Sequence, residues 1–156
     1  MKIKNKGITV TGLMRQSAKY NANRISIVAG DRRLTYAEAW NRGVRLANGF
    51  FSMGLSPGDR VAVLEDNSVE AQDFFLGSAI AGLVRVPLYA RNSVESHAHM
   101  INQTGARAVI VSKKYESELR EVLAVTKTVN HLIVRDEGYE DWLNGFSEVE
   151  SSIRIE

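Results

Sequence analysis

Between residues 60 and 134, short apolar runs alternate with longer helical segments, and this alternation constrains the fold more than any other feature. The runs are Arg60-Val-Ala-Val-Leu64, Arg85-Val-Pro-Leu-Tyr89, Ala108-Val-Ile-Val111 and Leu132-Ile-Val134. Asn67-Ser-Val-Glu70 opens the helix after the first run, and Asn92-Ser-Val-Glu95 opens the helix after the second. A helix from about Tyr115 to Val125 follows the third. Strands without polar alternation are buried on both faces. Joined through helices, they predict an α/β fold: a mostly parallel sheet with helices on both faces and right-handed crossovers.

Local chemistry sharpens the pattern. Asn67 and Asn92 are expected to cap their helices, each with a glutamate three residues later. The helix from Val69 to Gly82 is rich in small residues and can pack close to the sheet. Pro87 donates no ladder bond, which places it on an edge, at a strand end or in a bulge. Upstream, Met14 to Tyr20 reads as a helix with Leu13, Ala18 and Tyr20 inward. Ile25–Val28 and Arg33-Leu34, with a turn at Gly30-Asp31, read as a hairpin. Thr35 and Glu38 form a capping box for a helix that buries Tyr36, Trp40, Gly43, Ala47, Phe50 and Phe51. Gly54 ends that helix, and Pro57-Gly58 turns the chain toward the first apolar run. Tyr139 to Phe146 reads as a short helix, and Ser151 to Glu156 as the start of a strand.

The 156 residues, 44% apolar and 24% charged, suit one globular domain. A net charge of +2, with basic residues scattered among acids, offers no track for a phosphate backbone, and no nucleic-acid partner is expected. Lys2, Lys4 and Lys6 read as a solvated end, with peripheral membrane contact at most. The absence of cysteine excludes disulfides, thiolate metal sites and thiol catalysis. Nothing resembles a signal peptide or a membrane span, so a cytoplasmic protein is expected.

Residues able to carry chemistry are few. His97 and His99 lie two apart on a helix and point to different faces, so they do not share a metal ion. His131 opens a strand without an identifiable partner. Glu65 and Asp66 lie where open α/β sheets bind ligands and could hold magnesium, but as neighbours they should diverge. No glycine-rich phosphate loop is present, and Gly77 and Gly82 are explained by packing and helix termination. No nucleophile, base and orienting group can be assembled. Catalytic, cofactor-binding and metal-ligating residues are therefore each expected to be none in this chain.

Several segments, taken in order, resemble the start of the adenylate-forming superfamily. Leu34-Thr-Tyr-Ala-Glu38 is similar to an early L-T-Y-x-E-L element, with Ala39 in place of the final leucine. Met53-Gly-Leu-Ser-Pro-Gly-Asp-Arg-Val-Ala-Val63 resembles the family's turn and strand closely. Asn67-Ser-Val-Glu70, Ala79 to Leu88 and Gly105 to Val111 are similar to the elements that follow. The resemblance runs from about residue 11 to 135 and implies the N-terminal portion of an AMP-forming acyl-CoA synthetase of fatty-acid type. Such an enzyme uses MgATP to form an acyl-adenylate and then usually passes the acyl group to coenzyme A. The resemblance implies that the parts performing this chemistry would follow Glu156, and that Ile153 to Glu156 approach the strand before the phosphate loop. Residues 1–156 would then be a partial α/β subdomain, with a helix and hairpin over 1–34 and strand–helix units over 35–156, itself not catalytic. Its partner would be the remaining polypeptide; alone it should self-associate. A non-catalytic binding or assembly module on the same scaffold is the alternative. A receiver-like or flavodoxin-like domain fits less well, for want of a phosphate loop or acidic phospho-acceptor cluster.

Overall fold

The computed structural model describes residues 9–151. The expectations for Lys2, Lys4 and Lys6 and, past Ser151, for a strand over Ser151 to Glu156 lie outside them. The elements in order are α1 (Val10–Tyr20), β1 (Ile25–Ala29), β2 (Arg32–Thr35), α2 (Tyr36–Ser52), β3 (Arg60–Leu64), α3 (Val69–Ile80), β4 (Val84–Pro87), α4 (Val94–Thr104), β5 (Ala108–Ser112), α5 (Glu116–Ala124), β6 (His131–Arg135) and α6 (Tyr139–Asn144). A single 3-10 turn, Lys113–Tyr115, leads into α5.

β1 and β2 form an antiparallel hairpin, and the other strands form a parallel sheet in the order β4-β3-β5-β6. Ala62 stands opposite Val86 on one side and Val109 on the other. The pleat then divides each strand between two cores. Val61, Val63, Ala108, Ile110 and Ile133 pack with α2, α3 and α6. Ala62, Leu64, Val109 and Val111 pack with α4 and α5. Helices thus cover both faces, and the sequence pattern of uninterrupted apolar strands is accounted for.

Helices α2 and α3 meet through a reciprocal pair of glycines. A Cβ at Gly43 would stand 2.6 Å from Leu76 Cβ, and one at Gly77 would stand 2.8 Å from Leu46 Cβ. Each glycine is the notch for the other helix's leucine. Beside this contact, Arg42 binds Asp73 through two bonds of 2.8 and 2.7 Å and Glu140 through two of 2.7 and 2.9 Å. The Tyr139 hydroxyl donates to Asp73 Oδ2 at 3.2 Å. This network ties α2, α3 and α6 together.

Two expectations about helix starts need correction. Ser68 and Ser93, not Asn67 and Asn92, are the N-caps, accepting from the amides of Ala71 and Ser96. A serine hydroxyl one residue further on reaches the same orphan donors with a shorter side chain, so Glu70 and Glu95 fall in the first turn, outside the reciprocal capping position. Thr35 and Glu38 do form the expected capping box.

Helix α1 also differs. It begins at Val10, capped by Thr9, and turns Ala18 inward, whereas Leu13 and Tyr20 remain exposed. The inward side instead uses Met14 and the Thr11 hydroxyl, which donates to the Ala79 carbonyl at 3.2 Å. Small residues there let α1 lie close to α3. In α2, Gly43, Ala47 and Phe50 are buried together with Val44 and Leu46, while Tyr36, Trp40 and Phe51 are only half-buried.

Candidate functional site at the carboxyl edge of the sheet

The chain leaves β3 to form β4 on one side and returns to form β5 on the other. The crevice above the carboxyl ends of β3 and β5 is therefore a topological switch point, where open α/β sheets bind ligands. Glu65 and Asp66 follow β3, Ser112 closes β5, Lys114 and Tyr115 follow it, and Arg135 closes β6.

Glu65 and Asp66 diverge, as neighbours in an extended segment should. Glu65 turns inward to an ion pair with Arg135, the two side chains being 8% and 6% exposed. Arg135 also donates to the Ser68 hydroxyl at 3.2 Å, which links the α3 cap to the end of β6. Burial pulls the Arg135 pKa down to about 10, so it still carries its charge at neutral pH. Asp66 turns outward, where Tyr115 donates to it at 2.7 Å and Lys114 at 2.9 Å. Those bonds, the tyrosine's first, hold the Asp66 carboxyl below its ordinary value, and the bond to Asp66, followed by the contact with Tyr115, raises Lys114 to about 12. Both acids are engaged in pairs that bridge neighbouring elements.

A cavity of about 350 Å³ lies over this edge, lined by Ser68, Ser112, Arg135, Glu70, Glu137 and Glu140 among others. Arg32, on its wall, is tied to Glu70 and Glu140. Its rim is thus predominantly acidic, which opposes a phosphate chain. Among the described residues there is no group of three or more acids, histidines and cysteines able to hold a metal ion. The left-handed glycines are Gly30, Gly54, Gly58, Gly82 and Gly105. They lie in the β1–β2 hairpin or just before β3, β4 and β5, away from the carboxyl ends where a phosphate cradle would be built. The described residues do not fit MgATP.

His97 is completely buried, its Nε2 donating to the Tyr89 carbonyl at 2.9 Å. Its Nδ1 lies 3.2 Å from Glu118 Oε1, without the alignment of a hydrogen bond. It joins the turn before α4 to α5. His99 is exposed and His131 half-buried at the start of β6, so the histidines do not converge. Arg135 and the Arg42–Asp73 pair were not singled out from sequence. Their partners are dozens of residues away: the packing of α2 on α3 joins Arg42 to Asp73, and the strand order brings Arg135 to Glu65.

The family model for AMP-binding enzymes matches residues 14–154. The chain belongs to this family. It is 33% identical over 107 residues to feruloyl-CoA synthase from an Amycolatopsis species, a match covering 69% of the chain and 22% of that protein. It is 29% identical over 129 residues to triostin synthetase I from Streptomyces triostinicus, covering 82% of the chain and 24% of that protein. The structure of a Mycobacterium tuberculosis fatty acyl CoA synthetase superposes with a TM-score of 0.86 at 26% identity, covering 93% of this chain and 30% of that one. The AMP-binding domain thus spans about a quarter of the length of these curated relatives.

Proposed function

We propose that this chain is the scaffold portion of a carboxylic acid–CoA ligase. The parent enzyme joins a carboxylate to ATP as an acyl-adenylate, releasing pyrophosphate, and transfers the acyl group to coenzyme A. Fatty acids are the favoured substrates, the cytoplasm is the setting, and the described residues supply architecture rather than chemistry. The observation that carries this reading is the family match over residues 14–154, joined to a fold shared with a fatty acyl CoA synthetase. The carboxyl edge supports the division of labour: its acids are held in ion pairs, and its rim repels phosphate. Ser112 Oγ and the Nε and Nη1 of Arg135 are buried and make no hydrogen bond to another described group. Such donors are costly to leave unmade, and a segment of polypeptide packed over this edge would bond them.

The test is carboxylate-dependent ATP–pyrophosphate exchange by the full-length protein, with fatty, aryl and short-chain acids as substrates. Exchange stimulated most by fatty acids is expected, and the 156 residues produced alone should show none. No exchange with any acid would overturn the ligase reading, and exchange by the 156 residues alone would overturn the scaffold assignment. Strongest stimulation by an aryl acid would correct the substrate class.

A further inference from the structure

His97 is completely buried in the first turn of α4, and its two ring nitrogens meet acceptors from two different parts of the fold. Nε2 lies 2.9 Å from the carbonyl oxygen of Tyr89, in the turn between β4 and α4. Nδ1 lies 3.2 Å from Glu118 Oε1, in the first turn of α5. A carbonyl oxygen only accepts, so in the neutral ring the single proton is committed to Nε2. Nδ1 then turns a lone pair toward a carboxylate, and it is buried without a hydrogen bond. Only a ring with protons on both nitrogens can donate to both neighbours.

The other titratable groups of the surrounding elements are committed elsewhere or point away. Tyr115 and Lys114 hold Asp66, and Glu116 pairs with Lys113 and Arg120. Glu121 of α5 is exposed. On α4 itself, Glu95 and His99 each stand two positions from His97, about 200° around the helix, and both are exposed. In the turn before α4, Arg91 and the Tyr89 side chain are exposed, and Tyr89 meets the ring through its carbonyl alone. The strands beneath offer this layer only apolar side chains, Ala62, Leu64, Val109 and Val111. Glu118 is therefore the carboxylate that answers His97.

We propose that His97 and Glu118 form a proton-operated clasp between α4 and α5. When the ring takes up a second proton, Nδ1 donates to the Glu118 carboxylate while Nε2 donates to the Tyr89 carbonyl. One side chain then ties the β4–α4 turn, α4 and α5 together, with a charge-assisted bond on the α5 side. Glu118 is 34% exposed, which leaves its carboxylate room to turn onto the N–H axis. Helices α4 and α5 close one face of the sheet, so the clasp governs how firmly that face is covered. Its contribution is complete between the ordinary carboxylate and histidine ranges. It is lost as the pH rises through the histidine range and Nδ1 again presents a lone pair. This inference does not rest on the ligase reading, because its readout is local protection rather than exchange of pyrophosphate.

The experiment is amide hydrogen exchange, read by mass spectrometry on the full-length protein at about pH 5.5 and about pH 8 and corrected for the intrinsic pH dependence of exchange. Peptides from α4 and α5 are expected to be about fivefold better protected at the lower pH, and those from α3, on the other face of the sheet, should not follow. Glu118→Gln should exchange the preference, since its amide nitrogen can donate to the lone pair of the neutral ring. In that variant α4 and α5 should be protected at the higher pH at least as well as in the parent, and should gain nothing at the lower. His99→Gln should leave the effect in place. The comparison within the parent protein stands even if a variant fails to fold. Equal protection of α4 and α5 at both pH values, or an equal change in α3, would overturn the proposal. So would a pH effect that survives Glu118→Gln or one abolished by His99→Gln.

Discussion

Arg42 serves two carboxylates of different burial. Asp73 is almost fully buried, and Glu140 is partly exposed. Burial works against the Arg42 charge, but the two acids outweigh it and raise its pKa; burial pushes Asp73 upward against the pull of Arg42. Arg42→Met would leave Asp73 desolvated beside Glu140 with no cation, at a cost of about 3–5 kcal/mol. Urea unfolding checks this, and a loss below about 1 kcal/mol would show that Asp73 does not depend on Arg42. Glu140 is held below its ordinary value of 4.5, chiefly by its bond to Arg42. Its stabilisation is therefore complete above that value and is lost as the pH falls through the lower folded-state value. Arg135, just before the start of α6, acts on the same principle, since it keeps Glu65 paired where the chain leaves the sheet.

At the scale of elements, helix starts offer the clearest test. Ser68→Ala and Ser93→Ala should each destabilise by about 1 kcal/mol, whereas Asn67→Ala and Asn92→Ala should cost much less. Thermal melts of the four variants decide this, and the reverse ranking would return the caps to the asparagines. Strand positions were legible from residues alone, because uninterrupted apolar runs have few other uses. The caps were misjudged by one position because asparagine and serine are adjacent and both are good caps. The outward stripe of α1 was missed for a different reason. A single helix shows which residues are apolar but not which neighbour it meets, and α3 accepts its small face. Glu65 was legible as an acid at the switch point. Its partner, 70 residues later, depends on β6 lying beside β5, which local sequence does not report.

For the whole molecule, the sheet has two edges, β4 and β6. The amides of Val84 and Leu88 bond the carbonyls of Asp59 and Val63, so the odd-numbered positions of β4 face away from β3. Pro87, with no N–H, is therefore on the outward side, where it breaks no bond in the sheet. In β6 the Asn130 amide bonds the Arg107 carbonyl, which turns the amides of His131, Ile133 and Arg135 outward. The 156 residues made alone are expected to self-associate through β6, and His131→Pro should reduce that association. Light scattering at high concentration checks it; a monomeric parent chain, or association indifferent to the proline, would contradict the expectation.

The position of Pro87 gives the sheet a direction of growth. The β4 flank lacks one donor, at Pro87, and keeps the outward amide of Arg85, whereas the β6 flank presents three. A strand contributed from elsewhere in a longer polypeptide is expected to join the β6 flank, where three outward amides can set its register. A single imino acid thus makes one side of this core the poorer template for a further strand.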